Sequence, residues 1–149
     1  MDKASTAAST DIVTWLLVFI GWAVVHKATL SRDRRKEKRE ISMQLCKDIA
    51  ELQTAAIDFH TASQFDARKS TDLAQQVERI ILRLQKSPLG ELNIPLARLI
   101  TLRRKITKNN IDQSDFKTQS NDSQIIFDIR NAITDLIIAI EDAREYVWK

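Results

Sequence analysis

One stretch constrains this chain more than any other. Ile12 to Val25 is a run of fourteen residues without an ionisable side chain, the only such run in the sequence. As a helix it covers roughly 21 Å, against about 30 Å for a bilayer's hydrocarbon layer. Three readings compete for a run of this length: a membrane span, a signal-type segment and a buried helix of a soluble domain. The flanks decide between them. Small and weakly polar residues precede it (Ala7, Ala8, Ser9, Thr10) and Ala28, Thr29 and Leu30 follow. Ile12 to Leu30 would then cover about 28 Å, with the Lys27 side chain reaching back to the surface. Nine of the fourteen residues are Leu, Ile, Val or Phe, so insertion is favourable by roughly 3–5 kcal/mol.

A secretory signal carries its positive charge before the apolar core and a small-residue cleavage site after it. Here the order is reversed. Lys27, Arg32, Arg34, Arg35, Lys36, Lys38 and Arg39 follow the run, against only Asp33 and Glu37. The positive-inside rule puts this side in the cytoplasm, with the N-terminus outside and about 110 residues inside. The expected division is a short external tail (1–10), a transmembrane helix (11–30), a basic collar (31–40) and a cytoplasmic helical bundle (41–149). The expected location is an inner (plasma) membrane, crossed once.

Two Gly and two Pro in 149 residues, with few alternating β-branched runs, point to an all-α chain. The net charge of +3 implies no general affinity for nucleic acid. One cysteine, Cys46, excludes an internal disulfide and suits a reducing compartment.

Beyond the collar, Ile41, Leu45, Ile49, Leu52, Ala56 and Phe59 recur at steps near 3.5 residues. No Gly or Pro interrupts the chain between Trp22 and Ser87. The spacing therefore predicts one continuous helix from the membrane to about Thr61. Its heptad face is either the core face of a bundle helix or the seam of a coiled coil. A turn over 62–70 leads to a second helix, capped by Ser70, Thr71 or Asp72, with Leu73, Val77, Ile80, Ile81 and Leu84 inward. Ser87-Pro88-Leu89-Gly90 stops it. Asn93 is the expected cap of a third helix that turns Leu96, Leu99, Ile100, Leu102 and Ile106 inward. A polar loop over 109–121 holds an isolated Phe116. Asn121 or Asp122 caps a last helix carrying Ile125, Ile126, Ile129, Ile133, Leu136, Ile137, Ile140 and Val147. The expected architecture is a transmembrane helix continuing into a small four-helix bundle with antiparallel neighbours.

Enzymatic signatures are missing. His26, His60 and Cys46 have no spacing that suits a metal. The sequence contains no Gly-rich phosphate loop and no Gly-x-Ser-x-Gly elbow. Cys46 has no histidine placed to activate it, so a structural thiol is the favoured reading. No catalytic residue, metal or cofactor is expected.

Two resemblances add to this. Arg130-Asn-Ala-Ile-Thr-Asp135 resembles the motif of the HEPN family, four-helix bundles of which many are ribonucleases. There an arginine and a polar residue precede a histidine within a late helix. Arg130 and Asn131 match in type, while Asp135 stands where the histidine would be. The resemblance thus implies an RNA-binding bundle without its general acid/base. Arg103, Arg104, Arg130 and Asn131 would be its RNA or partner contacts. The bland alternative pairs Arg130 with Asp135 or its neighbours on a solvated face. The second resemblance covers the first forty residues. Trp22, His26-Lys27, Leu30-Ser31, Arg32-Asp33-Arg34 and Lys38-Arg39-Glu40 resemble the membrane exit and collar of uncharacterised bacterial single-span proteins. No activity travels with that resemblance; by analogy with small membrane proteins of bacterial anti-phage systems that share this build, an oligomerising membrane effector is one version of the expected function.

The collar can fix topology, bind anionic lipid at about 1 kcal/mol per basic residue, or both. The basic face of the third helix lacks interleaved aromatics, which disfavours nucleic acid as a partner. Thr14, Gly21 and Ala28 recur every seven residues and form a seam of small side chains along which two spans could approach. The expected partners are the lipid bilayer, further copies of the chain and a cytoplasmic protein.

Overall fold

The structure is a computed structural model that describes the backbone over 3–108 and 110–148 and side chains over 15–108 and 110–148. It is all-helical: α1 (Lys3–Thr61), α2 (Ala67–Gln85), a 3₁₀ turn (Leu89–Leu92), α3 (Leu96–Thr107) and α4 (Gln124–Val147). The chain divides into two compact units, Met1–Glu37 and Lys38–Lys149. The second unit is the helical bundle.

Within the bundle the α1 face is built as its spacing predicts. Leu45, Ile49, Leu52, Ala56 and Phe59 are buried inside the single chain, so the heptad face is intramolecular core. Burying such side chains contributes about 1.5–3 kcal/mol each. The α2 face is buried at Leu73, Val77, Ile80, Ile81 and Leu84, the five positions its periodicity selects. An ion pair between Arg83 and Asp48 joins α2 to α1. Along α3 and α4, Lys105 reaches Asp128 at 2.6 Å, and Arg98 Nη1 donates to the Asp135 carbonyl at 2.9 Å. As one number falls the other rises, so these two helices run antiparallel.

Helix ends depart from expectation, each for a local reason. The Asp66 carboxylate accepts the backbone N–H groups of Arg68 and Lys69 at 2.9 and 3.1 Å, and α2 therefore starts at Ala67. Ser70, an expected cap, instead donates its hydroxyl to the Ile111 carbonyl at 2.8 Å. Asn93 ends the 3₁₀ turn in the left-handed region at φ 49°, and α3 begins after Pro95 without a side-chain cap. Ser123, not Asn121 or Asp122, caps α4. In the turn before α3, Gly90 is required. A Cβ there would lie 2.9 Å from the Gln85 carbonyl oxygen.

The core assignments of α3 and α4 also need correcting. Leu99, Leu102 and Ile106 are buried, but Leu96 and Ile100 are more than half exposed. The latter pair shares a stripe four residues apart that stays open in the single chain. On α4, Val147 is 43% exposed, whereas its neighbour Trp148 is 4% exposed and belongs to the core. Phe116 is not isolated. Its ring centroid lies 5.5 Å from Phe59 and 5.7 Å from Phe65, both edge-on. Such pairs add about 0.5–1.5 kcal/mol each beyond area burial and pin the α3–α4 connection onto the end of α1.

Candidate functional site

In the first unit, the 15–25 part of α1 is apolar on every side. Trp15, Leu16, Leu17, Val18, Phe19, Ile20, Trp22, Val24 and Val25 each expose at least half of their surface. Consecutive helical residues point about 100° apart, so this set covers the whole circumference. A soluble helix instead confines apolar residues to one stripe. At the end of the run Trp22 and His26 stack in parallel, with centroids 5.2 Å apart and planes 8° from coplanar.

Among the described residues, no helix is long and apolar enough to cross a membrane. The uninterrupted apolar stretch from Trp15 ends at Val25, before His26 and Lys27. The beginning of the expected 11–30 span, including the Thr14 side chain of the small-residue seam, lies outside the residues whose side chains are described. Of that seam, Gly21 is open: a Cβ built on it meets nothing within 4 Å. Ala28 is exposed.

The collar follows as a tube of positive charge. Lys27, Arg32, Arg34, Arg35, Lys36 and Arg39 are exposed, and none forms an ion pair among the described residues. Arg35 reaches only the Ser31 carbonyl, at 3.4 Å. Lys38 behaves differently, for a reason the sequence conceals. Its ammonium lies 2.5 Å from Glu91, on the 3₁₀ turn, and 5.8 Å from the centre of the Trp148 ring. The Lys38 contact holds the Glu91 carboxyl below its ordinary pKa. The Trp148 indole N–H adds a lesser pull from beyond hydrogen-bond geometry.

Arg103 and Arg104 lie on α3, Arg130 and Asn131 on α4, and all four are exposed. Arg103 points toward α2, where Glu78 lies 3.8 Å away, and Arg104 is exposed. The side of α3 that meets α4 is served by Arg98 and Lys105 instead. Arg130 and Asn131 are exposed on α4, and Arg130 forms no ion pair with Asp135 among the described residues. Lys105, followed by Gln124, keeps the Asp128 carboxyl below its usual range.

Cys46 is half-buried, and burial, then the nearby Glu141, pushes its thiol pKa up, away from a nucleophile's range. Among the described residues no three His, Cys, Asp or Glu side chains converge as a metal site would require. One polar feature escaped the sequence reading. His60 is fully buried at the C-terminal end of α1, bonded to the Ile106 carbonyl and to Asn110. A lone histidine beside Phe59 carries no sequence signal for this role.

Comparison with protein-family models, with curated proteins and with solved structures finds no match for this chain.

Proposed function

We propose that this protein is a membrane-tethered, non-enzymatic helical module. Its α1 segment over 12–30 crosses a bacterial inner membrane, its bundle lies on the cytoplasmic side, and it acts by assembly with itself or with a cytoplasmic partner. The observation that supports this reading is the all-round exposure of large apolar side chains from Trp15 to Val25, followed by a basic run of which Lys38 alone is ion-paired among the described residues. Lipid is the medium that covers a helix on every side without asking for a complementary partner surface. The Trp22–His26 stack, with Lys27 next in sequence, suits the headgroup boundary, where amphipathic rings concentrate. The open Gly21 position leaves room for a second span to approach. An oligomerising effector that perturbs the bilayer is a narrower version of the same reading.

The test is extraction. Expressed in bacteria, the full chain should remain in the membrane pellet after an alkaline carbonate wash, and protease should remove the bundle only from inverted vesicles. Val18→Arg places a charge near the middle of the span, at a cost of about 2.5–3.5 kcal/mol, and should release a large fraction. Wild-type protein washed off by carbonate would overturn the tether.

A further inference from the structure

The bundle unit holds a groove of about 380 Å³ where α1, just past the collar, meets the last turns of α4. Arg39, Met43, Arg144, Glu145 and Trp148 line it. Two guanidiniums flank it, and neither has a carboxylate within ion-pair reach among the described residues. Its remaining surface is largely apolar, mainly from the exposed Met43, with the almost fully buried Trp148 also in the lining. The Lys38 ammonium lies above that ring, but Glu91 pairs with it, so the two add no net charge.

Two features oppose a strongly charged anion. Glu145 cancels one guanidinium, and the C-terminal end of α4 contributes a negative partial charge. The remaining balance suits a monoanion with an apolar continuation and disfavours a dianion. A phosphodiester matches the planar donor geometry of arginine, and glycerol and methylene groups match Met43 and Trp148. Tyr146, largely exposed and next to these residues in sequence, is of the aromatic type enriched at lipid headgroup level. Arg39 is itself the last residue of the basic run.

We infer that this groove binds the phosphodiester headgroup of an anionic phospholipid. Arg39 and Arg144 donate to its oxygens, and Met43 and Trp148 lie against the start of its apolar part. The assignment rests on the membrane-tether reading, since it needs a bilayer beside the chain. It gives the bundle a lipid contact of its own, separate from the span.

The test uses the full chain in detergent micelles with fluorine-labelled tryptophan, which reports Trp15, Trp22 and Trp148 as separate resonances. Dihexanoyl-phosphatidylglycerol should shift the Trp148 resonance saturably, while dihexanoyl-phosphatidylcholine and inorganic phosphate should not. Arg39→Gln with Arg144→Gln should abolish the shift. Glu145→Gln should tighten binding by about fivefold, the worth of one charge near a lipid surface, and a gain of this kind cannot come from misfolding. An equal response to phosphatidylcholine, a response to inorganic phosphate, or a shift that survives the arginine replacements would overturn the inference. Flotation of the same protein with vesicles reports on the tether separately. Protein that floats while Trp148 stays silent defeats the groove assignment alone. Protein that fails to float while Trp148 responds defeats the tether alone.

Discussion

His60 and Asn110 hold each other in one orientation. Asn110 Nδ2 lies 3.1 Å from His60 Nδ1, and His60 Nε2 lies 3.3 Å from the Ile106 carbonyl oxygen. The Asn110 Oδ1 accepts the backbone N–H of Lys117, so its amide nitrogen must be the group facing the histidine. Nδ1 is then the acceptor, and the ring's one proton sits on Nε2 and is donated to Ile106. The Gln119 N–H bonds the His60 carbonyl at 2.9 Å and closes the connection over the ring. Both ring nitrogens are satisfied only in the neutral tautomer.

From this follows a pH dependence. Burial disfavours the imidazolium, so the folded-state pKa of His60 lies below its ordinary value near 6.5. The unfolded chain takes up the proton first as pH falls. The stability contributed by neutral His60 is therefore complete above about pH 6.5 and is lost as pH falls from there toward the folded pKa. Urea midpoints measured from about pH 7.5 down to about pH 5.5 should decline. His60→Gln should flatten that decline. Glu91 and Asp128, whose folded pKa values are lowered, contribute stability above the ordinary carboxylate range that is lost only at lower pH. An equal decline in His60→Gln would remove the histidine as its cause.

Gly90 makes a sharper prediction about backbone. Gly90→Ala drives a Cβ to 2.9 Å from the Gln85 carbonyl, a main-chain atom that cannot step aside like a side chain. The turn between α2 and α3 must open, with a penalty of about 1–3 kcal/mol, the usual range for overpacking. Gly21→Ala should leave bundle stability unchanged, because a Cβ there meets nothing. Denaturation midpoints of the two variants check the contrast.

The α3 face separates what the sequence could say from what it could not. Periodicity identifies the interior of α2 completely, because one amphipathic stripe there meets one core. On α3 the apolar residues span a wider arc than the neighbouring helices cover. Sequence therefore cannot tell Ile100, exposed, from Leu102, fully buried. Leu102→Ala should cost about 2–5 kcal/mol through lost contacts and a cavity. Ile100→Ala should stay within about 0.5 kcal/mol of wild type. A large loss at Ile100 would mean that this face is covered in the assembled protein.

Long-range pairings were hidden for a different reason. Ser70 with Ile111, Lys38 with Glu91 and the Phe59–Phe65–Phe116 group link residues with no shared local pattern. The observed caps, Asp66 and Ser123, lie a few residues from the expected ones because nearby residues have equal propensity and tertiary demands decide between them. The apolar run and the basic collar, by contrast, are properties of composition over a dozen residues. Sequence reads such features directly.

Gly21 tests whether the anchoring helix also mediates assembly. Thr14, Gly21 and Ala28 share one helical stripe, and the space outside Gly21 is open. Without a hydrophobic driving force inside lipid, two spans associate through close backbone approach, and a branched side chain at the crossing point prevents it. Gly21→Leu should therefore lower the yield of cross-linked oligomer in membranes. It should leave membrane insertion intact or slightly improved, since leucine favours the bilayer by about 0.5 kcal/mol. Phe19→Leu, off the stripe, serves as the control and should cross-link as wild type does. If Gly21→Leu leaves the oligomer yield unchanged, the seam is not the contact, and any assembly must run through the bundle.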